Sequence, residues 1–140
     1  MKLKRKTFQY IESEIYSYWE TLKEIKLMEY EILNEYSTYS EDPQAGRTSV
    51  RTITDTTALK ATALVENKQL RRMKEKTEAI SKVYESLIEE KKELIELRYW
   101  KRPGELTWDG IAKKLNVGRA TAIRWRNDFV YKVAEEMGES

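Results

Sequence analysis

Cysteine and histidine are both absent from this chain of 140 residues. Their absence excludes disulfides and thiolate metal sites, and it removes the commonest acid–base, nucleophilic and metal-binding side chains of enzymes. Only two prolines and five glycines interrupt the sequence, and no glycine-rich phosphate-binding loop is present. We therefore expect no enzyme, no metal site and no bound cofactor.

Long apolar runs are also missing, so we expect no membrane-spanning segment. The basic N-terminus, MKLKRKTFQY, is not followed by the apolar core of a signal peptide. Charged residues make up 36% of the chain and hydrophobic residues 40%, which is typical of a mostly helical protein that stays in solution. Together these features predict a cytoplasmic protein.

The formal net charge of +2 conceals a strongly basic region near the C-terminus. Nine basic and three acidic residues lie between Arg98 and Lys132, so the rest of the chain is net acidic. Positive charge concentrated in one region is typical of nucleic-acid binding. Lysine and arginine that merely solvate a surface are the simpler explanation.

The segment from Leu106 to Phe129, LTWDGIAKKLNVGRATAIRWRNDF, has the pattern of a helix-turn-helix. Thr107 is suited to cap the first helix, and Asn116 is suited to the turn, where the backbone often needs a positive φ. Buried positions are predicted at Ile111, Ala112, Leu115, Val117, Ala122, Trp125 and Phe129. A helical hairpin that binds nothing is the alternative interpretation.

The outward side of the second helix, Arg119–Phe129, is predicted to enter the major groove of double-stranded DNA. Arg124 can pair with guanine and Asn127 with adenine. Ala120 and Ile123 are placed to touch a thymine methyl group. Phosphate contacts are predicted for Thr107, Lys113, Lys114, Arg119 and Arg126.

Upstream of this region the sequence predicts two long helices that pair as an antiparallel coiled coil. The first is expected to run unbroken from Lys4 to Tyr36, because its apolar residues recur three and four positions apart and form a heptad seam that Glu29 interrupts. The seam consists of Phe8, Ile11, Ile15, Tyr18, Leu22, Ile25, Ile32 and Tyr36. A flexible loop at residues 37–54 follows, and Asp55 or Thr56 is expected to cap the second helix. Such a pair would leave apolar surface exposed, so we expect a homodimer.

The predicted fold is therefore all-α, a long N-terminal helical hairpin followed by a small helix-turn-helix domain. Residues 1–88 are assigned to oligomerisation, and residues 89–140 are expected to fold on their own and bind DNA. A support helix ending at Pro103-Gly104 is expected to place Leu94, Ile95, Leu97, Tyr99 and Trp100 under the helix-turn-helix. Trp108 is assigned to the same core, with a position at the rim beside a phosphate as the alternative.

Residues 89–138, EEKKELIELRYWKRPGELTWDGIAKKLNVGRATAIRWRNDFVYKVAEEMG, resemble the C-terminal part of the RinA/ArpU-like transcriptional regulators of phages and prophages in Gram-positive bacteria. Residues 55–87, DTTALKATALVENKQLRRMKEKTEAISKVYESL, resemble the central helix of the same family. The LRYW helix before the helix-turn-helix also resembles region 4 of bacterial sigma factors. The resemblance implies a sequence-specific regulator of late phage genes in a bacterial host, with RNA polymerase as a further candidate partner. Gly118 departs from the pattern, because a serine is common at that helix start.

Other classes of protein remain open. The small terminase subunit of a phage DNA-packaging machine also joins a helix-turn-helix to oligomerising helices, but it assembles into rings. A protein-binding helical module is a further alternative. An enzyme is the least favoured of them, because adjacent carboxylates such as Glu89-Glu90 are typical of solvated helix surfaces.

Overall fold

In the computed structural model, which describes residues 3–37 and 49–139, all regular elements are helical, and this confirms the all-α prediction. Within those two ranges no β-strand occurs. The helices are α1 Arg5–Tyr16, α2 Tyr18–Ser37, α3 Ser49–Glu66, α4 Lys68–Glu85, α5 Glu89–Ile95, which continues into a π-helical turn at Glu96–Lys101, α6 Trp108–Leu115 and α7 Arg119–Met137.

The chain divides into two compact units, and each is described by itself. Met1–Trp19 and Lys76–Ser140 form what we call the composite unit, because it combines both ends of the chain. Glu20–Glu75 forms the middle unit. The composite unit therefore contains α1 and part of α4 in addition to the segment that the sequence analysis assigned to DNA binding.

The first predicted helix is not continuous, because it breaks at Ser17 between α1 and α2. The Ser17 hydroxyl donates a hydrogen bond to the carbonyl oxygen of Ser13 at 2.9 Å, a local bond that competes with regular helix geometry. The indole N–H of Trp100 donates to the carbonyl oxygen of Ile15 at 2.8 Å. The prediction of one helix from Lys4 to Tyr36 is therefore wrong at this point.

The second predicted helix begins earlier than expected and also has a break. Because α2 ends at Ser37 and α3 starts at Ser49, the predicted loop at residues 37–54 is wrong at residue 37 and at residues 49–54. The predicted caps at Asp55 and Thr56 are wrong as well, since both residues lie inside α3. Residues 38–48 of that loop lie outside the described residues. At Asn67, between α3 and α4, the side-chain Oδ1 accepts from the backbone N–H of Leu70 at 2.9 Å, as a helix cap does.

The core of the composite unit gathers side chains from α1, α4, α5, the π-helical turn, α6 and α7. Ile11 and Ile15 of α1 are completely buried there, and α1 packs against α7 and the π-helical turn. These two isoleucines were predicted to lie on a seam between long helices, so that part of the prediction is wrong. The predicted burial of Leu94, Ile95, Leu97, Tyr99, Ile111, Ala112, Leu115, Ala122 and Phe129 is confirmed.

Candidate nucleic-acid interface

The start of α6 is fixed by Thr107, as the sequence predicts. Its backbone is extended (φ −74°, ψ 166°), and its hydroxyl oxygen accepts from the backbone N–H of Gly110 at 3.1 Å. Asp109 lies in the first turn, where a carboxylate stabilises the positive end of the helix dipole. Gly104 has a φ of +80° and so allows the sharp reversal between the π-helical turn and α6.

The turn between α6 and α7 depends on Asn116, which has a φ of 61° and a ψ of 39°. This left-handed conformation confirms the prediction for that position. The backbone N–H of Val117 then donates to the carbonyl oxygen of Ala112 at 3.0 Å, and the Val117 side chain packs on the core. Gly118 precedes α7 without a side-chain cap, as expected from its departure from serine.

The inner side of α7 holds the helix against the core. Ala122 and Phe129 are buried, whereas Trp125 is only half-buried and packs at the edge of the core. The Lys91 ammonium lies over the Trp125 ring, with Nζ 5.6 Å from its centroid. The assignment of Trp125 to the core is therefore correct only for part of its ring.

The four predicted base-contact residues occupy the opposite side of α7. Ala120 and Arg124 are exposed, and Ile123 and Asn127 are half-buried. Their spacing of three and four residues places all four along one stripe of the helix. This stripe, Ala120, Ile123, Arg124 and Asn127, is called the reading stripe below.

Basic side chains flank the reading stripe. Lys113 and Lys114 are exposed in the last turn of α6, and Arg119 is exposed in the first turn of α7. Arg119 Nε lies 3.5 Å from Asp109 Oδ1, but both side chains are well exposed, so solvent screens this ion pair. All three cations are exposed, and their contact with phosphates stays a prediction.

Arg126 differs from the other predicted phosphate contacts, because it points into the composite unit. Its Nη1 lies 3.1 Å from Glu12 Oε2, and the two side chains are only 14% and 19% exposed. The guanidinium also lies over the rings of Phe8 and Trp108, at 5.2 and 4.9 Å from their centroids. This position speaks against the predicted phosphate contact by Arg126.

Glu12 joins two parts of this polar cluster. The Tyr99 hydroxyl donates to Glu12 Oε2 at 2.6 Å, the same oxygen that accepts from Arg126. Burial, and then the hydrogen bond to Glu12, raise the pKa of Tyr99 well above its usual range. Tyr99 therefore stays protonated and acts as a hydrogen-bond donor at physiological pH.

Trp108 occupies a half-buried position between α6 and this cluster. The Arg98 guanidinium lies 4.6 Å from the centroid of its ring. Arg98 Nε is buried and has no hydrogen-bond partner among the residues that the structure describes. The Trp108 ring therefore packs on the core, as the sequence favoured, and it also contacts two guanidinium groups. The alternative position beside a phosphate stays a prediction.

Glu12 and Arg98 lie near the candidate interface, although no sequence pattern predicted either of them there. Glu12 is 114 positions away from Arg126, so no local pattern connects the two. Arg98 was recognised only as one of the basic residues in a charged region. The residues of the reading stripe, in contrast, could be identified because helical spacing alone places them on one side of α7.

Neither a metal site nor a membrane span is visible in the described part of the chain. No group of acidic side chains there could hold a metal ion. None of the helices within residues 3–37 and 49–139 has the length and apolar character required to cross a bilayer.

Comparison with known proteins yields one family. No curated protein and no solved structure is significantly similar to the chain. The family match extends over residues 6–135 and so includes the helices of both units. The chain belongs to the family described as "Protein of unknown function (DUF722)".

Proposed function

We propose that this protein binds double-stranded DNA in a sequence-specific manner and inserts α7 into the major groove. The observation that carries the proposal is the reading stripe, which is accessible to a partner and flanked by exposed cations on two helices joined by a tight turn. An α-helix fits the major groove, and there its side chains reach the base edges.

Each part of this surface has a distinct role in the proposal. Arg124 donates two hydrogen bonds to guanine, and Asn127 contacts the next base pair along the groove. Ala120 and Ile123 supply apolar contacts to thymine methyl groups. Lys113, Lys114, Arg119 and Thr107 contact phosphates, which set the position of the protein on DNA but do not read sequence.

The regulatory role rests on the resemblance of residues 55–87 and 89–138 to RinA/ArpU-like regulators. In this proposal the protein regulates late genes of a phage or prophage and acts in the cytoplasm of the bacterial host. RNA polymerase is a further proposed partner. Because one helix-turn-helix contacts little DNA, we propose that a homodimer reads two half-sites.

The decisive experiment is selection of bound sites from random double-stranded DNA by the full chain. We expect one preferred site, at which Arg124→Ala and Asn127→Ala each weaken binding by about 1–3 kcal/mol and relax one base pair. Lys132→Ala is the matched control for charge, because Lys132 is exposed on α7 but lies two turns beyond Arg124. Equal binding by parent, Arg124→Ala and Asn127→Ala would disprove the assignment of the reading stripe.

Two further measurements separate phosphate contacts from base contacts and a regulator from a packaging subunit. Lys113→Ala should weaken binding to all sequences alike and reduce the slope of log affinity against log salt by about 1.

Light scattering of the full chain should give a dimer. A closed ring of many subunits would instead favour the small terminase subunit.

A further inference from the structure

The side-chain amide of Asn127 has a fixed orientation, because its neighbour Arg126 can only donate hydrogen bonds. Arg126 Nε lies 2.8 Å from Asn127 Oδ1. A guanidinium has no acceptor atom, so the amide oxygen must face it and the amide nitrogen must face away. The oxygen and nitrogen of this asparagine can therefore be distinguished from the hydrogen-bond network alone.

Arg126 is itself held in place by partners outside α7. Glu12 Oε2 accepts from Arg126 Nη1 at 3.1 Å and from the Tyr99 hydroxyl at 2.6 Å. The rings of Phe8 and Trp108 contact the guanidinium. The direct contacts of Arg126 come from α1 and α6, so Arg126 cannot swing outward without losing the ion pair with Glu12 and both ring contacts.

The orientation of the amide determines which base edge Asn127 can recognise. A bidentate pair with adenine requires the oxygen to accept from N6 while the nitrogen donates to N7. Because Oδ1 is engaged by Arg126, a bidentate pair that also needs Oδ1 is weakened, whereas the amide nitrogen keeps both of its N–H donors for the base. Guanine offers N7 and O6, two neighbouring acceptors, whereas adenine offers N7 beside an N6 amino group that is itself a donor.

We propose that Glu12 and Arg126 are positioning residues that hold Asn127 as a hydrogen-bond donor, so that it selects guanine and not adenine. This inference rests on the proposed function and replaces the pairing with adenine expected from the sequence. Neither positioning residue contacts DNA. Their effect is to determine which of the two ends of one amide faces the base pair.

The test is base preference, measured by site selection with the full-length protein. Asn127→Ala first identifies the base pair that Asn127 reads, because only that position should lose its preference. In the parent protein we expect guanine to be favoured over adenine there by about tenfold, the discrimination typical of one good base contact. Every other position of the site provides an internal control.

The orientation is then released by a double variant, Glu12→Gln with Arg126→Met, which removes the donor without leaving a buried carboxylate unpaired. The glutamine introduced in place of Glu12 can still accept from the Tyr99 hydroxyl through its amide oxygen. Because the Asn127 amide can then turn, the preference for guanine over adenine should fall to about threefold or less, while the other positions keep theirs. Arg126→Lys is a second variant, which keeps the charge opposite Glu12 but replaces the rigid fork of donors by one ammonium group. Because that ammonium can still donate to Asn127 Oδ1, the shift should be in the same direction but smaller.

Each outcome supports or overturns the inference. Adenine as the preferred base at the Asn127 position of the parent would overturn it and leave the proposed function intact. A uniform loss of affinity in both variants, with the guanine preference unchanged, would also overturn it, because purely structural residues act in that way. A parent protein that selects no site at all would overturn the proposed function itself.

Discussion

The two units of this protein differ in how completely they bury their apolar side chains. The composite unit encloses a continuous core that contains large, fully buried residues such as Tyr99 and Phe129. Among the middle-unit residues whose side chains the structure describes, 20–35 and 57–75, only Ile25 and Leu70 are buried. Large apolar side chains remain on its surface, including Leu27, Tyr30 and Val65, at 57%, 63% and 72% exposure.

We infer from this contrast that the two units have different roles. A closed core gives the composite unit a rigid scaffold, which is what a reading stripe needs to present side chains at fixed positions. Exposed apolar side chains on long helices are typical of surfaces that another protein covers. We propose that a second copy of the middle unit covers them, in line with the expected homodimer.

The largest effect should follow from removal of α1, which would break the composite unit. Deleting residues 1–16 removes Ile11 and Ile15, each fully buried, and burial of one such side chain is worth about 1.5–3 kcal/mol. The deletion also takes the Glu12 carboxylate from Arg126. We expect the loss of cooperative unfolding by tryptophan fluorescence, which reports on this unit because all four tryptophans belong to it.

The same reasoning applies to residues 89–140, which the sequence analysis expected to fold alone. That fragment lacks α1 and α4, so it should be unfolded or should bind DNA far more weakly than the loss of dimerisation explains. A cooperative thermal transition of the isolated fragment would show that α1 and α4 are not needed for residues 89–140 to fold.

The second effect in size is a cavity in the core. Phe129→Ala should destabilise the composite unit by about 3–5 kcal/mol, because a large side chain with 1% exposure is removed. Leu59→Ala is the control, since Leu59 lies in the middle unit with 53% exposure and should change the free energy of unfolding little. Urea denaturation followed by tryptophan fluorescence measures both variants.

Trp125→Ala provides an intermediate case between these two variants. Its half-buried ring predicts a cost of about 1–3 kcal/mol, less than a fully buried tryptophan would give. If Trp125→Ala lowered the free energy of unfolding as much as Phe129→Ala, the Trp125 ring would contribute as much to the core as a fully buried side chain.

The helix-turn-helix could be predicted because its determinants are local. The cap at Thr107, the left-handed Asn116 and the buried side of α7 all follow from residues within one or two turns of each other. The overall helical class follows from the same periodicity.

The breaks and the polar cluster could not be predicted, because they depend on distant partners. Ser17 lies in a region with unbroken apolar periodicity, yet the chain leaves the helix there while Trp100 bonds to Ile15. Apolar periodicity identified Ile11 and Ile15 as buried but could not say which helix would cover them. The orientation of Arg126 likewise depends on Glu12, near the opposite end of the chain.

The third effect concerns the exposed side chains of the middle unit. Leu27→Glu should weaken dimerisation by about 2 kcal/mol or more, since it would bury a carboxylate in the proposed interface. Lys26→Gln alters the net charge by the same amount at the adjacent exposed position and should leave the dimer intact. Analytical ultracentrifugation over a range of concentrations gives both values. Equal association by the two variants would place the interface elsewhere.

A charge at Ile15 would not test the dimer, although Ile15 belongs to the seam predicted from the sequence. Ile15 is fully buried inside the composite unit, so Ile15→Glu should unfold that unit first. Leu27 and Tyr30, two of the exposed positions on α2, separate association from folding because neither belongs to the buried core.

The smallest effect is the loss of one hydroxyl inside the composite unit. Tyr99→Phe removes the donor that bonds Glu12 and should reduce the free energy of unfolding by about 1 kcal/mol at neutral pH. Tyr30→Phe removes an exposed hydroxyl from the middle unit and should have no such effect at neutral pH.

The difference between the parent and Tyr99→Phe should shrink at high pH. Burial raises the pKa of Tyr99 above its ordinary value of 10.0, so above that pH the unfolded chain loses the proton while the folded chain keeps it. The unfolded state is then favoured in the parent, whose stability falls as the pH rises, whereas the phenylalanine variant has no proton to lose at this position. Urea denaturation at about pH 7 and about pH 11 should therefore show the two proteins converging. A constant difference across this range would mean that Tyr99 ionises equally in both states, and hence that neither its burial nor its bond to Glu12 raises its pKa in the folded protein.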